Sequence, residues 1–344
     1  MSLPRYISRG GEICYNAPSN LDDTLMFGFV LNAGYAALQG MADRYLNEPT
    51  EHRFGFKPLT DLILLNFVHI PRLESVDSVD IRTGTLAYRE VGIWTFLDST
   101  LGLQTFAPYM WVNEAAPMVG GREIYGFPKT LGEIRMPALD EPIDELALHA
   151  TGLERFGLGR PAERLELLRL RPPVELSVSA RSCRDSRWIA DAPRALRDVA
   201  GALPPPVEEP GVLASLAGVA RRTGLPGNLT RLASDVLAGQ LSWVFLKQFR
   251  DVHEPDRACY QAVTQARTQL RQFRGGGLLP RARDWRLELN DVDSAPFVRE
   301  LGIPLAPAAR DRTARVQAQV AFWADFSFEY GLGEELDWRG AGRA

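Results

Sequence analysis

From Thr24 to Leu31 (TLMFGFVL) nearly every position is apolar, which predicts a buried strand. A helical spacing follows, with Tyr35, Leu38, Ala42, Tyr45 and Leu46 on one face, Asn32 as its expected cap and Pro49 as its stop. Asp61 to Ile70 (DLILLNFVHI) reads as a strand buried on both faces. Asn66 and His69 interrupt it; they are read as hydrogen-bonded structural groups, with a place in a pocket wall as the alternative. Leu86 to Asp98 alternates, so that an unbroken strand sets Tyr88, Glu90, Gly92, Trp94 and Phe96 on one face, unless Gly92 marks a bulge.

The strand pattern continues at Phe106 to Val112, and Asn113 then caps a short helical segment running to Gly120-Gly121. Further β-type stretches are Asp144 to Thr151, Arg164 to Leu170, Val174 to Ala180, Leu241 to Phe249, Trp285 to Asn290 and Val316 to Phe328. On the Leu241 strand, Lys247 shares a face with Trp243, Phe245 and Phe249, either snorkelling to the rim or projecting into a pocket. Gly275-Gly276-Gly277 reads as a flexible turn, without the context of a phosphate loop. Residues 1–23 look irregular. Between about 185 and 239, short amphipathic segments are split by PPPVEEP, which reads as a helical insertion. Many strands, few helices and no βαβ alternation indicate an α+β, β-rich chain dominated by antiparallel sheet. We treat 1–344 as one domain carrying that insertion.

Composition removes several classes of function. A formal net charge of -4 supplies no basic field for nucleic acid. No run of eighteen apolar residues predicts a membrane helix, and the opening MSLPRYISRGGEICYN lacks the apolar core of a signal peptide. Cys14, Cys183 and Cys259 have no metal spacing, nor do His52, His69, His149 and His253, so neither a metal nor another cofactor is expected, and the compartment expected is the cytoplasm. Of 39 basic residues only Lys57, Lys129 and Lys247 are lysine. Arginine serves at most solvated sites but cannot shed its proton to become an amine nucleophile, which makes these three the candidates for such chemistry.

One of the three has a distinctive setting. Lys129 lies in NEAAPMVGGREIYGFPKTLGE (Asn113 to Glu133), with Gly120-Gly121 and Arg122-Glu123 upstream and Phe127-Pro128 directly before it. Two glycines let the backbone pass close to another element, and Pro128 fixes φ. Such a turn can aim one amine into an apolar pocket. Imine chemistry requires this, because an ordinary lysine titrates near about 10.4 and must be brought down by roughly 3–4 units. Arg122 and Glu123 are read as bracing the segment by buried pairing. Glu90, a carboxylate on an aromatic face, is expensive to bury unless paired or functional; a salt bridge to a local arginine such as Arg89 is its structural alternative.

GREIYGFPKTLGE resembles the signature of the acetoacetate decarboxylase superfamily, and Tyr88-Arg-Glu-Val-Gly92 is similar to that family's Tyr-x-Glu-x-Gly segment. Phe245 to Phe249, Ala258 to Ala262 and the stretch Val316 to Glu329 resemble its later strands. The likeness covers residues 24–182 and 240–330. It implies a double-cone antiparallel β-barrel with a few flanking helices, usually a homo-oligomer, acting on a small keto acid or ketone. It also implies Lys129 as the imine-forming nucleophile, as in acetoacetate decarboxylase, a known case of an activated Schiff-base lysine. Glu90 would then guide protonation, Tyr125, Phe127 and Trp94 would form apolar walls, and Thr130, Arg122 and Glu123 would complete the substrate site.

Two departures bear on the reaction. The decarboxylases place a second lysine where this chain has Thr130. A like charge at about 7 Å contributes roughly 2 kcal/mol, whereas burial can supply 3–5 pKa units, so the loss does not abolish imine chemistry. The hydroxyl of Thr130 is a donor and acceptor for a substrate oxygen. The family's substrate-side arginine also has no counterpart, since Asp22-Asp23-Thr24 falls near its place. The expectation is a Schiff-base lyase that decarboxylates a β-keto acid. The alternatives are an aldolase-dehydratase or cyclase using the same lysine, and a non-catalytic ligand-binding barrel.

Overall fold

Fourteen strands carry the described architecture: β1 (Ser19–Asn32), β2 (Lys57–Pro58), β3 (Leu62–Ser75), β4 (Leu86–Asp98), β5 (Gln104–Val112), β6 (Lys129–Leu131), β7 (Glu133–Arg135), β8 (Leu146–Gly152), β9 (Glu163–Arg171), β10 (Gln240–Arg250), β11 (Ala258–Leu278), β12 (Arg286–Asn290), β13 (Thr313–Val316) and β14 (Val320–Arg339). The helices are short: α1 (Tyr35–Ala42), α2 (Ala115–Gly120) and α3 (Phe297–Glu300). This computed structural model describes residues 4–7, 14–137, 141–173, 240–279, 281–305 and 312–339. The 185–239 insertion, the Val174 to Ala180 strand and Cys183 lie outside the described residues.

Nine strands form one sheet in the order β2-β4-β3-β1-β14-β11-β10-β5-β6, and a further pairing of β4 with β5 closes seven of them into a ring. Closure leaves those seven without a free edge. A second sheet runs β13-β12-β9-β8-β7. The α+β, β-rich fold class is therefore observed, with antiparallel pairing throughout except where β5 runs parallel to β10 and to β6.

The unbroken apolar runs have a simple cause. On β1, β3 and β4, Phe27, Phe29, Leu31, Ile63, Leu65, Phe67, Val91 and Ile93 join the main core with Leu146, Leu148, Leu168 and Leu287 of the second sheet. Their strand neighbours Met26, Val68, Ile70 and Tyr88 turn the other way and form a separate cluster with Phe322, Phe326, Phe328 and Tyr330 of β14. Both faces of β1 and β3 are buried, so alternation vanishes from their sequence while persisting in space.

Several local expectations are corrected. Asn32 ends β1 instead of capping α1, whose cap is Gly34. Asn113 does not cap α2 either: the cap position is Glu114, and Asn113 Oδ1 accepts from the Arg89 amide at 2.5 Å, tying β4 to the end of β5. The register break on β4 falls between Ile93 and Thr95, so it is Trp94, not Gly92, that sits at the irregularity. Gly275-Gly276-Gly277 is no turn but the interior of β11, paired with Asp325, Ala324 and Trp323. A Cβ at Gly276 would meet the Phe273 ring at 2.9 Å and the Trp323 carbonyl oxygen at 3.0 Å, so glycine is demanded there by close packing.

Candidate active site

The segment leading to Lys129 is fixed from several sides. α2 continues into a wide helical turn, Gly121–Tyr125, which Gly126 ends in the left-handed region at φ 80°. A Cβ on Gly126 would lie 2.6 Å from Lys247 Cα, so both the dihedral and the contact exclude other residues. The Phe127 amide donates to the Gly121 carbonyl at 3.0 Å, and Thr264 Oγ1 donates to the Tyr125 carbonyl at 2.6 Å. Tyr125 Oη donates to the Gly331 carbonyl at 3.0 Å. β6 then pairs with β5, with Met110 opposite Lys129. Gly121 serves the lysine directly, since a Cβ there would stand 2.8 Å from Lys129 Cδ.

At the centre, Lys129 Nζ lies 2.9 Å from Glu90 Oε2, with the two side chains 5% and 9% exposed. The ammonium also stands 5.3 Å from the centroid of the Tyr88 ring and 5.2 Å from that of Phe127. Phe127 stacks on Tyr125 at 4.9 Å and contacts Phe245 at 4.4 Å and Tyr330 at 5.4 Å. Burial pushes the Tyr88 and Tyr330 phenols well above their usual range, and the Glu90 carboxylate adds to the effect. Tyr125 is raised by the same cause, with Glu329 contributing. All three therefore remain neutral hydroxyls at any ordinary pH. Lys129, Tyr88, Tyr330, Phe127 and Gly121 line a cavity of about 60 Å³. A wider cleft, about 800 Å³, which Lys129 also borders, runs along Thr130, Arg122, His149 and Arg164.

The anticipated residues separate into two groups. Lys129, Glu90, Phe127 and Tyr125 converge, and Trp94 stands further along the same wall, edge-on to Trp243 at 4.8 Å. Thr130 is exposed and faces the wide cleft, its hydroxyl 3.5 Å from the Met110 carbonyl. Arg122 and Glu123 do not form the expected buried pair. Arg122 is exposed and donates from Nη1 to the Lys129 carbonyl at 3.1 Å, so it braces the strand through its backbone; Glu123 accepts from Tyr6 Oη at 3.3 Å. The partner of Glu90 is Lys129, not Arg89. Lys247 lines neither cavity: its ammonium lies over the rings of Phe249 and Tyr260, and burial lowers its pKa against the opposing pull of Glu335 and Glu123.

Sequence reasoning missed Tyr88 and Tyr330 as members of the site. Tyr88 was within reach, because alternation puts it on the face of Glu90. Tyr330 was not, since it arrives on β14 from two hundred residues away. The aspartates standing near the family's arginine position are engaged elsewhere, Asp22 with Arg271 at 2.9 Å and Asp23 with Arg274 at 3.4 Å. Among the described residues, no cluster of His, Cys, Asp or Glu is placed to hold a metal, and no helix is long and apolar enough to cross a membrane.

Comparison with known proteins completes the picture. The sequence pattern of the acetoacetate decarboxylase (ADC) family matches residues 57–154, a span that holds both Glu90 and Lys129. No curated protein matches the chain by sequence. In fold it is similar to an acetoacetate decarboxylase of Legionella pneumophila, 14% identical, with a TM-score of 0.57 over 98% of this chain and 93% of that one. It is also similar to a second acetoacetate decarboxylase structure, 12% identical, with a TM-score of 0.53 over 95% and 92% of the two chains. The matched family pattern thus spans the buried Lys129–Glu90 pair, and the fold of the chain is similar to that of these acetoacetate decarboxylases.

Proposed function

We propose that the protein is a Schiff-base-forming carbon–carbon lyase that decarboxylates a β-keto acid through Lys129. The observation that carries this reading is the 2.9 Å contact between the Lys129 amine and the Glu90 carboxylate inside an apolar, aromatic chamber. In that contact Glu90 takes the proton that Lys129 must lose before its nitrogen attacks the ketone carbon. The carbinolamine then loses its oxygen as water, with Glu90 returning the proton, and an iminium remains beside the carboxylate.

The substrate carboxylate leaves as carbon dioxide, and its bonding electrons flow into the iminium to give a neutral enamine. A proton from water completes the new C–H bond, and hydrolysis frees the ketone and the lysine. The net change consumes one proton and releases one carbon dioxide. Collapse of an iminium–carboxylate zwitterion to neutral species is favoured where the dielectric is low, which is what Tyr88, Phe127, Tyr125 and Tyr330 provide. A second reading, aldol addition and dehydration through the same enamine, is favoured by the neutral Tyr88 and Tyr330 hydroxyls, which are donors for a departing oxygen.

Borohydride reduction in the presence of acetoacetate tests the proposal. The peptide bearing Lys129 should gain the mass of the reduced adduct, and carbon dioxide should be released on turnover. Undiminished labelling of Lys129→Ala, with the adduct on Lys57 or Lys247, would refute it.

A further inference from the structure

Three neighbouring strands meet in one row inside the ring. Gly28 of β1 stands opposite Asn66 of β3, and Asn66 opposite Gly92 of β4. The two glycines leave space that aromatic rings occupy. A Cβ at Gly28 would lie 2.4 Å from the Phe322 ring, and one at Gly92 would lie 2.5 Å from Trp94 Nε1 and 3.2 Å from Asn66 Oδ1. Asn66 is wholly buried between them. Contrary to the structural reading of this residue, its Oδ1 and Nδ2 have no hydrogen-bond partner among the described residues, and neither has Trp94 Nε1. Leaving such groups unpaired is costly, and it calls for a cause.

We propose that Asn66 and Trp94 form a specificity site for the distal end of the substrate, taking an uncharged oxygen such as a hydroxyl, ether or carbonyl. This rests on the Lys129 reading for the placement of the reacting carbon. Gly92 is two residues beyond Glu90 on one strand face, roughly 7 Å along β4. The recognised oxygen therefore sits about four carbons from the carbonyl that Lys129 attacks. Asn66 Nδ2 and Trp94 Nε1 are both donors, and Asn66 Oδ1 accepts from a hydroxyl. No cation is placed among the residues of this row, so a neutral oxygen fits and a carboxylate does not. Trp94 and Phe322 each retain exposed surface and lie over glycine, so a tilt of either ring opens the row without moving backbone.

The test uses two isosteric ketones, 6-methoxyhexan-2-one and octan-2-one, which differ by one ether oxygen. Their dissociation constants are measured by ligand-observed NMR on the wild-type chain, Asn66→Leu and Trp94→Phe, with borohydride trapping run in parallel. The wild-type chain should prefer the methoxy ketone by roughly tenfold. Asn66→Leu should abolish that preference while leaving octan-2-one binding unchanged or tighter, and Trp94→Phe should reduce it in part. Equal binding of the two ketones by the wild-type chain, or a preference that survives Asn66→Leu, would overturn the site. An intact preference without any trapped adduct would support the site and count against the imine instead.

Discussion

Truncating one member of the Lys129–Glu90 pair should cost far more than truncating both. At 2.9 Å and an effective dielectric of about 20, two opposite unit charges attract by about 6 kcal/mol. Desolvation of both ions opposes much of that gain. The loss of a single partner nevertheless costs roughly 3–5 kcal/mol, because the other charge stays behind in the chamber. Glu90→Gln, Lys129→Met and the double variant, each unfolded in urea, close a double-mutant cycle whose coupling energy should be about 5–6 kcal/mol, larger than either single loss. The double variant should be more stable than either single one. Because both side chains are under 10% exposed, the coupling should change little between about 0.1 and 1 M salt. Additive effects within about 0.5 kcal/mol, or a coupling that salt removes, would show that the pair is solvated in solution, and the proton transfer assigned to Glu90 would fall with it.

The remaining predictions concern the chemistry and its surroundings. Glu90→Gln should still be trapped by borohydride but turn over about 10²–10⁴-fold more slowly, as measured by carbon dioxide release; unchanged turnover would make Glu90 structural. Gly121→Val should displace the Lys129 stem, whose Cδ lies 2.8 Å from the added Cβ, and should lower trapping at Lys129. Thr130→Lys should move the pH midpoint of imine formation by less than about half a unit, since the new ammonium would face the open cleft, where about 7 Å of water-screened separation is worth roughly 0.6 kcal/mol. His69 is half-buried, and burial with the nearby Arg89 charge holds its imidazole below the usual range. A depressed folded value means that its contribution is present above about pH 6.5 and is lost as pH falls through the folded value, because the unfolded chain takes the proton first. Urea midpoints should therefore decline below about pH 6.5, and less so in His69→Gln.

Much of the framework was written locally. The extent of β4 follows from its alternation, and the runs at Thr24 and Asp61 were recognisable as buried strands because apolar side chains on both faces leave no polar period. The turn that delivers Lys129 was legible too, since Gly120-Gly121 permit close approach of the backbone and Pro128 fixes φ. Where local reasoning failed, a distant segment had changed the chemistry. Asn32 and Asn113 look like caps by composition, yet β-pairing claims the first and the Arg89 amide the second. The triple glycine reads as a turn until Trp323 and Phe273 are packed against it.

The sequence by itself determined which residue types are available for chemistry, a rare lysine behind Phe-Pro and a carboxylate on an aromatic strand, and with them a resemblance to one family. Only the tertiary structure decided how they are used. Closing the ring through β4 and β5 brings Glu90 within 2.9 Å of Lys129, across 39 positions of chain, and β14 lays Tyr330 against the Phe127 ring beside them. The same closure turns Thr130 outward and leaves Lys247 over Phe249 and Tyr260. It also seals Asn66 between two rings. Periodicity reports the face on which a side chain stands, because that is a property of one strand. Which groups meet across a closed interior depends on register among seven strands, and no single stretch of chain contains that information.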